Sequence, residues 1–345
     1  MAASRIAAVV LASVSLMATA VSAQAPDAAT GDKARREAVA KGLAFLSDAW
    51  RGDVREGPKV GGGTAIASLS GIAFLQSGST TDGGPYQREV NKCLELVLAS
   101  AQGSGLLAAD ATQGPMYGHG FGMLFLSEAY ARAKDDAVKK RILPVLGKAV
   151  ALSEKSQNEE GGWRYQPVPY DADVSVTVGQ LNGLLAAKAA GVRVSDDVLK
   201  KAGDYVVSCQ NPDGGFSYMA HGRGNSGLPR SAAALSALQH ADAATREQRD
   251  KAVAFVAKFA KPDADAWANG HAFYGQYYLA QALLAAGGEH RTKTSAAFRD
   301  LLLKRQQDDG SWTGDIDKTY ATSMALIALQ MPDRWLTVLA PRKAQ

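Results

Sequence analysis

Two kinds of helical stretch alternate along most of this chain. In the first kind apolar residues recur at i, i+3, i+4 and i+7 with charges on the opposite side, the mark of an amphipathic helix. These stretches are "RREAVAKGLAFLSDA", "QREVNKCLELVLASAQ", "VKKRILPVLGKAVALSEKSQ", "SDDVLKKAGDYVVSCQ", "QRDKAVAFVAKFAK" and "KTSAAFRDLLLKRQQ". The second kind is nearly apolar all round and rich in Ala, Ser and Gly, which suits buried, closely packed helices. Its members are "TAIASLSGIAFLQ", "MYGHGFGMLFLSEAYARA", "DVSVTVGQLNGLLAAKAAG", "LPRSAAALSALQHA", "HAFYGQYYLAQALLAAGG" and "TYATSMALIALQ". No stretch alternates convincingly with period two, so the pattern predicts an all-α chain of six outer and six inner helices.

A fingerprint, Q-x-x-x-G-x-W/F, marks the junction between the two kinds. It reads "QNEEGGW" at 157–163, "QNPDGGF" at 210–216 and "QQDDGSW" at 306–312, so its key residues are Gln157, Gly161, Trp163, Gln210, Gly214, Phe216, Gln306, Gly310 and Trp312. The steps are 53 residues and then 96, two units of 48, which gives a repeat of about 50 residues. Each Gln is placed to bond carbonyls at the end of its outer helix, each Gly to make a left-handed turn, and each aromatic to fill the gap between repeats. An open solenoid needs polar capping repeats at both ends. Here the last repeat carries one of the best fingerprints, so closure into an α6/α6 toroid over residues 35–332 is predicted, with a flexible segment at 24–34 and a tail at 333–345.

Residues 1–23, "MAASRIAAVVLASVSLMATAVSA", look like a signal peptide: Arg5, an apolar core and a small-residue site ending at Ala23. The apolar run Ile6–Ala20 is short for a membrane span, so the expectation is an exported chain, periplasmic or secreted after cleavage near Ala23. The formal charge of +4 is weak, and the basic residues are scattered without interleaved aromatics, which argues against a nucleic-acid partner. The two cysteines, Cys93 and Cys209, fall in outer helices of repeats two and four, too far apart for a disulfide, and are expected free and partly buried.

Polar residues at the starts of the inner helices are the candidates for chemistry. Asp171 and Asp173 in "YDADVSVT" and His119 in "MYGHGFG" are candidate catalytic groups. Tyr117, Arg230 in "GLPRSAA", His271 and Tyr274 in "NGHAFYGQYY", and Tyr320 in "KTYATS" are candidate ligand contacts. Each has a plainer reading. Asp173 suits an N-cap, with Asp171 a solvated loop charge; His119 suits a turn-ordering role; Arg230 suits pairing with either aspartate, which would keep both ionised. The run His271, Tyr274, Tyr277, Tyr278 suits packing between helices. Neither "GHGFG" nor "GGG" at 61–63 follows a strand or carries a phosphate-loop lysine, and no cofactor or metal is expected.

The three fingerprints on paired helices resemble those of the terpene cyclase and protein prenyltransferase superfamily, the prenyltransferase/squalene oxidase repeat proteins. The likeness is greatest to exported single-barrel bacterial members and covers about residues 35–332. It implies an α6/α6 toroid. It also implies a role for "DADV", which is similar to the Asp-x-Asp-Asp motif whose middle aspartate protonates the substrate in squalene-hopene cyclases. Asp171 and Asp173 match, and Val174 stands where the last aspartate would be. Those cyclases use two barrels and this chain has length for one, so full triterpene cyclisation is not expected. No Asp-x-Cys precedes an inner helix, so the zinc site of the protein prenyltransferases is not expected, nor is their α-subunit partner. The favoured reading is a toroid that binds a small-molecule, lipid or isoprenoid, glycan or peptide ligand in its central cavity without full cyclase activity. The alternatives are an isoprenoid-processing enzyme with Asp173 as general acid, and a polysaccharide lyase or glycosidase on the same barrel.

Overall fold

The computed structural model describes residues 26–51, 63–108, 114–220, 224–258, 271–314, 316–333 and 336. The leader-like residues 1–23 and most of the tail therefore lie outside the described residues. Outer helices are α1 (Pro26–Ala49), α3 (Gln87–Ala99), α5 (Asp136–Ser156), α7 (Asp196–Ser208), α9 (Arg246–Ala257) and α11 (Ser295–Lys304), the last entered through a π turn at His290–Thr294. Inner helices are α2 (Gly63–Gln76), α4 (Pro115–Arg132), α6 (Val174–Ala189), α8 (Leu228–Ala241), α10 (Ala272–Ala286) and α12 (Lys318–Gln330). Over its described residues, every predicted stretch forms a helix of the predicted kind. Among the described residues there are no strands, only isolated bridges at the turns. The segment 24–34, read as flexible, is helical from Pro26, and Asp32 within it pairs with Arg35.

Each inner helix packs on the next in chain order, and α12 packs back on α2, so the ring is closed. Small residues permit that approach: the Ser70 and Ser323 hydroxyls meet at 3.0 Å across the seam, and Gln330 donates to the Ala73 carbonyl at 3.1 Å. Arg35 locks the seam from outside, donating to the Leu329 carbonyl at 2.9 Å and pairing with Asp333. Cys93 and Cys209 are free and fully buried, more so than the sequence suggested.

The fingerprint acts between repeats rather than at its own helix end. Gln157 donates to the Val198 carbonyl in α7 at 2.9 Å, Gln210 to the Gln248 carbonyl in α9 at 2.9 Å, and Gln306 to the Ala38 carbonyl in α1 at 2.8 Å. The last of these closes the outer ring. The glycine that follows comes so close to the next outer helix that a Cβ on Gly161 (φ +94°) would lie 2.3 Å from the Lys201 carbonyl oxygen. Trp163, Phe216 and Trp312 are fully buried, and their backbone amides donate to a hydroxyl on the adjoining inner helix: Thr177, Ser231 and Thr322. Repeat two carries a fourth, degenerate copy at 101–107, "AQGSGLL", in which Ala101 and Leu107 bridge as Gln210 and Phe216 do.

Candidate active site

The inner helices run parallel, so their N-termini gather at one end of the ring. Asp173 stands there as the N-cap of α6. Its backbone is held by the fingerprint itself: Asp173 N–H donates to the Trp163 carbonyl at 3.0 Å, and Val174 N–H to the Tyr218 carbonyl at 3.0 Å. Oδ1 accepts from Ser175 N–H at 2.9 Å and Val176 N–H at 3.0 Å. The capping reading is therefore met, and it accounts for one oxygen only. Oδ2 is buried and makes no hydrogen bond of good geometry, although the Tyr218 hydroxyl lies beside the carboxyl. The residue is 0% exposed. Desolvation pushes its pKa up to about 6, against the downward pull of the Val176 amide, Tyr218, the Ser175 amide and Arg164.

Tyrosines from five repeats gather around this carboxyl. Tyr117 (α4) has its ring 6.0 Å from that of Tyr165, whose hydroxyl is bonded to the hydroxyl of Tyr218. Tyr274 (α10) donates to the Ser175 carbonyl at 3.2 Å and stacks edge-on with Tyr278 at 4.8 Å. Tyr320 (α12) completes the set, close enough to Tyr274 to act on its hydroxyl. Burial raises the hydroxyl pKa of Tyr117, Tyr218, Tyr274, Tyr278 and Tyr320 alike, so all of them remain neutral donors.

The cation at the site is Arg164. It pairs with Asp171 Oδ2, while Asp171 Oδ1 accepts from Ala172 N–H at 2.8 Å. The same guanidinium lies over the rings of Tyr165 and Tyr218, at 5.4 and 5.8 Å. The proposed pairing of Arg230 with an aspartate is not found. Arg230 donates to the carbonyls of Phe216 (2.9 Å) and Asn225, because its place in the first turn of α8 aims it back along its own loop.

Two candidates stand apart from this cluster. His119 is fully buried one repeat away; its Nδ1 accepts from Leu107 N–H at 3.1 Å, and its Nε2 faces the Ala149 carbonyl and the Ser153 hydroxyl. That is the position Thr177, Ser231 and Thr322 hold in the other fingerprints. Burial lowers its pKa to about 4, which keeps the imidazole neutral near pH 7, apart from the Asp173 cluster. His271 is exposed at the start of α10 in a left-handed conformation and makes no side-chain cap. Arg164, Tyr165 and Tyr218 were not anticipated. The signal was present: in repeats three and four a tyrosine stands two residues past the fingerprint aromatic, in "GGWRY" and "GGFSY". A separate cavity of about 550 Å³, lined by Gln239, Asp242, Arg249, Val253 and His290, opens at the other end of the ring and is not part of this site.

The closed ring of paired helices and its fingerprints define an α6/α6 toroid. No protein-family model matches the chain. A drimenyl diphosphate synthase from Streptomyces showdoensis is 31% identical over 183 residues, 50% of this chain and 33% of that one. The chain spans about a third of the length of the curated relatives it matches. Among solved structures, the type II terpene cyclase MstE from Scytonema superposes with a TM-score of 0.57 at 14% identity, covering 87% of this chain and 98% of that one. MstE has also been seen with its substrate, geranylgeranyl dihydroxybenzoate. A glycosidase in complex with glucose superposes with a TM-score of 0.54 at 11% identity, covering 87% and 97%. At these identities the structural likeness is one of fold. No helix among the described residues is long and apolar enough to cross a membrane.

Proposed function

We propose that the ring takes an isoprenoid ligand and that Asp173 protonates one of its double bonds. The observation that carries this reading is the buried Asp173 carboxyl with Oδ2 unbonded in a setting of neutral tyrosines. Cap amides on Oδ1 stabilise the carboxylate once its proton has left, at the positive end of a helix dipole. Aromatic faces stabilise the carbocation that forms, as they do any cation. With a pKa of about 6, the acid form is plentiful on the mildly acidic side of neutrality, where general-acid catalysis is best matched. The names of the curated relatives and of the superposed cyclase support a prenyl substrate. The glycosidase likeness has less behind it: the second carboxylate at this mouth, Asp171, is held in an ion pair with Arg164. An exported, periplasmic or secreted location belongs to the same proposal and rests on residues 1–23 alone.

The test is turnover. The chain purified without its leader is incubated with farnesyl diphosphate, and the hydrocarbon and alcohol products are analysed after phosphatase treatment. Cyclised or isomerised product is expected, lost in Asp173→Asn and kept in Asp317→Asn. Bound but unchanged farnesyl diphosphate would instead favour a binding protein and sink the role of Asp173 as an acid.

A further inference from the structure

Asp173 is 0% exposed, so nothing outside the protein touches its carboxyl as the ring stands. An acid that must meet a ligand atom needs a way opened to it. The segment placed to open one is the loop between the fingerprint and α6, residues 164–172. Both of its feet are fixed. The Trp163 indole donates to the Ser153 carbonyl at 2.8 Å, and the Tyr205 hydroxyl donates to the Ala172 carbonyl at 2.8 Å. Asp173 N–H reaches the Trp163 carbonyl at 3.0 Å, so the two ends meet, as in a compact Ω-loop. Just above the feet Arg164 pairs with Asp171, limb to limb. The tip is stiff as well. Val168 N–H bonds the Gln166 carbonyl at 2.8 Å, and Tyr170 N–H the Val168 carbonyl at 2.9 Å. Pro167 and Pro169 thus each stand at the centre of a three-residue turn, which the fixed φ of proline suits. Clasped at the neck and stiff at the tip, the loop is built to move as one piece.

Its tip is not packed down: Val168 and Tyr170 are exposed, Tyr170 at 89%. The ties from this loop to neighbouring repeats run through Arg164 and Tyr165. Arg164 lies over the Tyr218 ring at 5.8 Å, and the Tyr165 hydroxyl meets the Tyr218 hydroxyl, which lies beside Asp173. The Tyr165 carbonyl takes a long bond, 3.3 Å, from Met116 N–H at the start of α4. Repeat six offers the contrast. Its equivalent loop, 313–316, is less than half as long, and the aspartate that follows, Asp317, is only half-buried. The long loop and the sealed acid occur together.

We propose that residues 164–171 are a lid on Asp173, latched by the Tyr165 and Tyr218 hydroxyls, which swings out on its feet to admit the ligand. This rests on the reading of Asp173 as the acid, because a capping aspartate alone needs no access. Open, the lid bares the carboxyl. Shut again, it keeps water from the acid and from the bound ligand. The fixed feet confine the motion to the loop, so the fingerprint and the α6 cap stay in place while it moves.

The test reads access in the native chain. A carbodiimide with glycine ethyl ester amidates the carboxyls it reaches, and peptide mass spectrometry locates them. In a parallel sample iodoacetamide labels the fully buried Cys209, which clocks unfolding of the ring. Each rate is divided by that of the same group in the urea-unfolded chain. On this scale Asp173 is expected to react at least tenfold faster than Cys209 and more slowly than Asp317. Equal protection of Asp173 and Cys209 would mean that only unfolding uncovers the acid, and overturns the lid. An Asp173 as reactive as Asp317 overturns it too, since the loop would then cover nothing. Tyr165→Phe removes the latch hydroxyl and keeps the ring as cover. Losing that one hydrogen bond should speed Asp173 about fivefold and leave Cys209 unchanged. An unchanged Asp173 rate in this variant, or an equal acceleration of Cys209, also overturns the proposal. Turnover of farnesyl diphosphate is read separately. Turnover by a chain whose Asp173 is as protected as Cys209 removes the lid and leaves the acid in place. A lid that opens in a chain with no turnover removes the acid instead and stands as the gate of a binding site.

Discussion

Asp173 and Asp317 cap their helices in the same way, yet only Asp173 is shut away from water. Asp173 Oδ1 takes the Ser175 and Val176 amides, and Asp317 Oδ1 takes the Thr319 and Tyr320 amides at 2.7 and 3.1 Å. Asp317 is half-buried, whereas Asp173 is sealed beneath Tyr117, Tyr218 and Tyr274. What distinguishes the proposed acid is thus its surroundings rather than its place on the helix. Asp317 is the natural control for every Asp173 variant.

Stability against pH should expose the difference. Burial raises the Asp173 pKa from 3.8 to about 6, so the folded protein holds this proton through a window in which the unfolded chain has lost it. The contribution is favourable below pH 4 and is lost as pH rises through 6. About two units correspond to about 3 kcal/mol. Asn caps a helix as well as Asp, so Asp173→Asn should gain up to about 3 kcal/mol over wild type at pH 8 and nothing at pH 4. Urea unfolding at the two pH values measures it. An equal effect at both would mean that the carboxyl is hydrated.

The guanidinium of Arg164 should tune that acid. It lowers the Asp173 pKa through its charge and holds Tyr165 and Tyr218 together by lying over both rings. Arg164→Gln should raise the Asp173 pKa further and carry the alkaline limb of any pH–rate profile upward. Its cost in stability should stay within about 1 kcal/mol, since the pair with Asp171 is partly exposed. A carboxyl carbon titration by NMR reads the shift directly; a downward move would contradict the placement of this charge.

His119 should prove structural. Its ring carries the Leu107 amide in a fully buried place, so His119→Ala leaves that donor unbonded and opens a cavity, costing about 3–5 kcal/mol. In wild type the depressed pKa runs the other way from Asp173. The unfolded chain takes up the imidazole proton first, so stability is lost as pH falls from 6.5 through about 4. His119→Gln keeps a polar group of similar reach and should retain activity with an unchanged pH profile. An altered profile would restore His119 as a candidate acid–base group.

The helical layout was legible because a half-buried helix must show its two faces in a 3.6-residue period, and the inner ring must be apolar all round. That same uniformity hid which residues meet the lumen: on an inner helix with no polar side, sequence alone does not say that Tyr277 turns inward to Phe121. Arg164, Tyr165 and Tyr218 were hidden for another reason, since loop residues carry no period and only their shared offset from Trp163 and Phe216 relates them. The place of His119 in the fingerprint was hidden because its counterparts are Thr177, Ser231 and Thr322. One hydrogen bond is made there by three residue types, and similarity of type does not reveal it.

The degenerate fingerprint at 101–107 can be tested through its glycine. Gly105 has φ +95°, and a Cβ there would lie 2.3 Å from the Lys148 carbonyl oxygen, as one on Gly161 would from that of Lys201. Both strains act at once: a left-handed backbone that an L side chain resists by about 1–2 kcal/mol, and a clash with backbone that has little room to retreat. Gly105→Ala and Gly161→Ala should therefore cost similar amounts, about 2–4 kcal/mol. Gly103, two residues away with nothing within 4 Å of its Cβ position, should tolerate alanine almost without loss. If Gly105→Ala behaves like Gly103→Ala in thermal unfolding, the turn in repeat two is an ordinary loop. If it behaves like Gly161→Ala, the close backbone approach operates in repeat two without the glutamine and the tryptophan.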